Sequence, residues 1–109
     1  MVEDNSISLP WITKEEAFLE LQRIAREQTE SVIILDHALD RQNQRDITHR
    51  QVLNTLRFGN LNEPGQWDTK EERGWKYKLT HITAGDRVCV IAKVVQRDGN
   101  KCLVITVWS

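Results

Sequence analysis

The stretch Arg87-Val-Cys-Val-Ile-Ala-Lys-Val-Val-Gln-Arg-Asp98-Gly99-Asn-Lys-Cys-Leu-Val-Ile-Thr-Val-Trp108 decides the fold. β-Branched residues crowd two runs, and the Asp-Gly pair between them tolerates the positive φ angles of a tight hairpin. Strands are predicted near 87–96 and 101–108, with Asp98-Gly99 as a two-residue turn. That register sets Val95 opposite Cys102, Ile91 opposite Thr106 and Cys89 opposite Trp108. Side chains alternate along a strand, so one face collects Val88, Val90, Ala92, Val94, Leu103, Ile105 and Val107. None is polar, and this is the expected core face.

Working back, Thr83-Ala-Gly-Asp86 reads as a second turn after a strand near 75–82. A matching register adds Trp75, Tyr77, Leu79 and His81 to the core face. The opposite face then carries Lys76, Lys78, Thr80, Arg87, Lys93 and Thr106, with Ile91, Val104 and Trp108 among them. Four cations with no carboxylate between them make a local basic surface, and Trp108 offers a ring on which a base stacks. The plain alternative is that lysine and arginine simply solvate the outer face of a two-layer fold. Cys89 and Cys102 fall six residues out of register, roughly 20 Å apart at ~3.3 Å per residue, which argues against an internal disulfide. Both are expected as buried thiols, although Cys102 falls on the strand exterior in this register.

The N-terminal half reads as helices. Ile12-Thr-Lys-Glu-Glu-Ala17 combines a capping residue, Thr13, with a box partner, Glu16, and a staple between Ile12 and Ala17. Ala17, Phe18, Leu21, Ile24 and Ala25 follow at helical spacing, to about Glu27. Val32-Ile-Ile-Leu35 is a short strand expected to be buried on both faces. A polar helix spans about Asp36 to Gln44. The capping pattern recurs at Ile47, Thr48, Gln51 and Val52, with Gly59 as the stop. Residues 60–73 read as loop, with Trp67 and Asp68–Arg73 expected to be a mobile surface loop and an interaction loop as the alternative.

The fold class is therefore α+β, with N-terminal helices packed on one face of a small, mainly antiparallel sheet. The domain is expected over 11–109 after a flexible lead-in at 1–10. A chain of 109 residues suits one domain. Lysine and arginine total 15 against 16 acids, a net charge of -1. Any polyanion must therefore meet a concentrated patch and not the whole surface. No run is long and apolar enough for a membrane span, and Met1–Ser6 has no apolar signal core, so the cytoplasm is the expected compartment.

The unusual stretch is Asp36-His-Ala-Leu-Asp-Arg-Gln-Asn-Gln-Arg-Asp-Ile-Thr48. His37, Arg41 and Arg45 are four apart, so a helix sets them in a row. An imidazole beside two permanent cations suits a phosphodiester: arginine forks onto non-bridging oxygens while histidine moves a proton. On spacing alone a structural role is the stronger explanation: a solvated helix face, with His37 capping the helix or buttressing the sheet.

The pattern His37-Ala38-x-x-Arg41-x-x-x-Arg45-x-Ile47-Thr48 resembles the signature of a family of domains of unknown function, DUF4258. Val52-Leu53-x-x-Leu56-x-x-Gly59, Trp75-x-Tyr77, Val88–Val95 and Val104-Ile-Thr-Val107 resemble its later stretches, so the likeness covers about residues 13–108. Leu39, Gln42 and Asp46 stand where the family signature has Arg, Met and Gly. The family is regarded as similar to the small RelE-like and MqsR-like toxins, which cut RNA without a metal and pair with an antitoxin. The resemblance thus implies a toxin-like endoribonuclease architecture, with His37, Arg41 and Arg45 as catalytic residues. It implies RNA as partner, the ribosome as one setting, and an antitoxin protein.

Lys76, Lys78, Arg87, Lys93, Thr106 and Trp108 are then the expected RNA-binding residues. The alternative is a noncatalytic RNA- or protein-binding module from a phage, plasmid or toxin–antitoxin locus. No cofactor or metal is expected, because His37, His49 and His81 have no ligand spacing with acids or thiols. No histidine adjoins Cys102 to activate it. Oligomeric state stays open, with the last strand a candidate exposed edge.

Overall fold

The computed structural model describes residues 9–109. Helix α1, Lys14–Glu27, begins at Thr13, whose side chain accepts from the Glu16 N–H while the Glu16 carboxylate accepts from the Thr13 N–H, closing the expected capping box. Ala17, Leu21, Ile24 and Ala25 form its buried stripe, and Ile12 packs against the same core. After a 3-10 turn come β1 (Val32–Ile34), α2 (Asp36–Gln44) and α3 (His49–Phe58). Thr48 and Gln51 repeat the capping box on α3, and Val52, Leu53 and Leu56 are buried beneath it. Gly59 stops α3 in an extended conformation (φ -68°, ψ 158°), not the left-handed one a terminal glycine suggests. A side chain there would collide with the Thr55 carbonyl, so close approach explains the glycine.

The segment expected to be loop contains two short strands, β2 (Asn60–Leu61) and β3 (Gln66–Asp68), both antiparallel to β4 (Gly74–Thr83). Strands of two and three residues are too short to show alternation. With β5 (Asp86–Gln96) and β6 (Asn100–Trp108) they complete a six-stranded, mostly antiparallel sheet, with path order β1-β6-β5-β4-β2 and β3 also on β4. β1 runs parallel to β6 and pairs with it over Cys102–Val104, so this part of β6 is not the open edge anticipated. All three residues of β1 are only half-buried, as befits an edge strand.

The β4–β5 hairpin has the expected register: Tyr77 faces Ala92, Leu79 faces Val90 and His81 faces Val88 across the Ala84-Gly85 turn. The β5–β6 hairpin differs. Its pairing closes at Gln96 and Asn100, leaving Arg97, Asp98 and Gly99 as a three-residue turn with φ of 52° and 93° at the last two. Val94, not Val95, therefore faces Cys102. A bulge between Ile91 and Ala92 then absorbs one residue of β6, which restores Ile91–Thr106 and Cys89–Trp108.

The slipped register changes which face several side chains take. Cys102 and Val104 enter the core beside Val88, Val90, Ala92, Val94 and Val107, while Leu103 and Ile105 turn to the outer layer. Cys102 is fully buried instead of exterior, and Val104 leaves the expected outer face. Cys89 and Cys102 are both free thiols. The helices cover the inner face, where the core runs from Ala17 through Ala38 and Leu56 to Val107. Of the expected lead-in, residues 1–8 lie outside the described residues, and Leu9 and Pro10 are exposed. Trp11 is fixed: its indole donates to Asn100 Oδ1, and its ring packs edge-on against Trp67.

Candidate functional site

The outer face of the sheet gathers the cations named from sequence, but not as a bare patch. Lys76 pairs with Lys93 across β4 and β5, and Lys78 with Ile91. Asp68, delivered by β3, reaches between the first two: its Oδ2 lies 3.1 Å from Lys93 Nζ and 3.5 Å from Lys76 Nζ. Lys93 is only 4% exposed and also donates to the carbonyls of Lys70 and Glu72. The expectation of four cations free of carboxylate is thus corrected: Asp68 reaches this face only because the three-residue β3 pairs with β4, and so short a strand shows no alternation. Burial alone would raise the Asp68 pKa. The Lys70 N–H, the Lys93 ammonium and the Lys76 charge outweigh it, and hold the carboxyl below the usual range.

Residues 69–73, expected to be mobile, form a fastened strap over this face. Lys93 holds two of its carbonyls, and Arg97 forks onto the Glu72 carboxylate. Beneath the strap, Leu35, Ile91, Leu103 and Ile105 floor a cleft of about 470 Å³. Sequence alternation missed Leu103 and Ile105 because Leu103-Val-Ile105 is uniformly apolar and cannot report a slip of one residue. Three consecutive apolar residues beside a polar turn were the only cue to a bulge.

Farther along the face, Lys78 Nζ stands 5.5 Å from the centroid of the Trp108 ring, a cation–π contact that leaves Lys78 without an acidic partner among the described residues. Arg87 is exposed and borders a separate recess with Asn60, Asn62, Thr80 and His81. Lys78, Arg87, Thr106 and Trp108 therefore remain as an available surface, while Lys76 and Lys93 are occupied.

His37 and Arg45 are exposed and Arg41 is half-buried; among the described residues none of the three has an ion pair or hydrogen bond from its side chain. α2 buries Ala38 and Gln42 instead. Its N-terminus follows Leu35, whose N–H donates to the Val104 carbonyl. Because β1 runs parallel to β6, α2 starts at the end of the sheet that carries Thr106 and Trp108. The Lys76–Lys93 cleft takes in Leu35 but none of His37, Arg41 and Arg45. Two basic groups thus exist, one on α2 and one on the outer sheet face. Among the described residues no three His, Cys, Asp or Glu side chains cluster as a metal site requires. No helix there is long and apolar enough to cross a membrane.

The profile of the family described as "Domain of unknown function (DUF4258)" matches residues 34–109. The chain belongs to the DUF4258 family. No curated protein and no solved structure matches it significantly. The DUF4258 match begins at Ile34 and so takes in α2 and all of β2–β6, the elements that carry both basic groups.

Proposed function

We propose that this DUF4258 protein is a toxin-type, metal-independent endoribonuclease whose reacting groups are His37, Arg41 and Arg45. The observation that carries the reading is that these three side chains, four residues apart along α2 and its C-cap Arg45, are unpaired among the described residues even with Asp36 and Asp40 beside them. In the reaction, a ribose 2′-oxygen forms a bond to the adjacent phosphorus as the 5′-oxygen bond breaks. The products are a cyclic phosphate and a free 5′-hydroxyl. His37 moves the proton at one of those oxygens and solvent at the other, while Arg41 and Arg45 offset the charge gathering on the non-bridging oxygens. Lys78 and Arg87 guide the strand, with Trp108 as a stacking surface. The likeness to RelE-type and MqsR-type toxins belongs to this proposal, as does an antitoxin that would cover the basic groups.

Incubating the purified protein with unstructured RNA in excess chelator tests the reading. Cleavage that disappears in His37→Ala is expected; intact RNA with wild-type protein overturns it.

A second reading, RNA binding without cleavage, is favoured by the occupied state of Lys76 and Lys93 and by the absence of His37 from their cleft. Stable complexes that survive incubation without cleavage would select it.

A further inference from the structure

We infer that the cleft under the 69–73 strap is a pocket for one unpaired nucleobase, so that the protein takes RNA as a single strand. The inference rests on the RNA reading above and adds the form of RNA recognised.

The cleft's volume, about 470 Å³, falls in the roughly 300–1,000 Å³ range of small-ligand sites. Its floor is aliphatic, three acids (Asp68, Glu71 and Glu72) line its wall, and all of its cations but Lys70 are engaged: Lys93 and Lys76 on Asp68, Arg97 on Glu72. A phosphate placed here would lose its hydration against Leu103 and Ile105 and face the carboxylates of Asp68, Glu71 and Glu72, with Lys70 as its one unengaged cation. A base has the opposite needs. Its flat apolar faces suit the floor, and its polar edge can meet the Asp68 carboxylate on the wall.

The cleft is also continuous with the available surface. Ile91 and Lys76 border both it and a smaller recess walled by Lys78, and Lys78 lies over Trp108. A strand laid along this strip stacks one base at Trp108 and turns another into the cleft, while Lys78 meets the phosphates between. Bases inside a duplex are stacked and paired, and a cleft of about 470 Å³ is too small to admit a helix of RNA. Selection of unpaired RNA follows from shape.

Ile105 gives the decisive test, because it lines the cleft, sits half-exposed at the bulge and lies outside the buried core. Fluorescence anisotropy would compare a labelled single-stranded oligoribonucleotide, its duplex, and the same strand with abasic sites. The expected result is binding of the single strand at least about tenfold tighter than the duplex, with abasic substitution removing most of the gain. Ile105→Lys adds a cation, yet is expected to weaken single-strand binding severalfold by polarising the floor. Ile105→Trp, which fills the cleft, should do the same while thermal unfolding shows both variants folded. Equal affinity for both RNA forms, or tighter binding by Ile105→Lys, overturns the base pocket and leaves the RNA reading standing. Absence of salt-sensitive binding to either form overturns both.

Discussion

The ammonium of Lys93 and the carboxylate of Asp68 meet at 3.1 Å on the outer face of the sheet, with side chains only 5% and 14% exposed. A charge pair this enclosed contributes less to stability than its removal by halves would suggest. Breaking it leaves the surviving charge desolvated, whereas losing both charges is far milder. Asp68→Ala strands Lys93 and is expected to destabilise the fold by about 3 kcal/mol, read from urea unfolding. Lys93→Met should cost clearly less, since it fills the same space without charge and Asp68 keeps Lys76. Equal losses from the two substitutions would contradict this account.

Acid should act through the same carboxyl. The folded protein holds Asp68 below the ordinary aspartate value of 3.8, so its contribution is complete above that value and is lost as pH falls through the folded pKa. The stability gap between wild type and Asp68→Asn is therefore expected to be constant near neutrality and to shrink below about pH 4. Parallel unfolding curves at several pH values measure it. A gap that widens in acid would reverse the sign assigned here.

Cys102 lies fully buried on the core face, and burial pushes its thiol up to about 12. Thiolate is the reactive form, so alkylation of Cys102 in the folded protein at mildly alkaline pH should be slow and should follow global unfolding. Mass spectrometry after timed iodoacetamide treatment, with and without denaturant, checks this. Rapid labelling of Cys102 in the native protein would place the residue on the exterior, where uninterrupted alternation had put it.

That thiol illustrates how much the sequence disclosed. The capping boxes at Thr13 and Thr48 announced α1 and α3 because each signal is local: one residue, one partner three positions on, one hydrophobic face. The β4–β5 register followed from a tight turn at Ala84-Gly85, and it put Lys76, Lys78, Arg87 and Lys93 on one face. The β5–β6 register did not follow, because a three-residue turn and a bulge displace Cys102, Leu103, Val104 and Ile105 together and later cancel. Both ends of the hairpin therefore match alternation or miss it with no trace in an apolar run. Asp68 was hidden for another reason. A carboxylate becomes a partner of Lys93 only when β3 pairs with β4, and three residues are too few to declare a strand. The row on α2 was legible as spacing, while its separation from the Lys76–Lys93 cleft depends on β1 lying at the sheet edge.

The different circumstances of the cations make their roles in RNA binding separable. A lysine already bound to a carboxylate releases few counterions when a phosphate arrives, whereas an unpaired one releases about one. Arg87→Ala, Arg41→Ala and Arg45→Ala should each weaken RNA binding and lower the slope of log affinity against log salt by roughly 0.7 for a single strand. Lys78→Ala should lower the slope similarly and, in addition, free the Trp108 ring, so that part of the lost affinity returns through stacking. Lys76→Ala should leave the slope nearly unchanged, because Asp68 stands 3.5 Å from its ammonium before any RNA binds. Salt titrations on the five variants give the comparison. A large slope change for Lys76→Ala with none for Arg87→Ala would mean that Asp68 swings away on binding and that the strand follows the opposite end of the sheet.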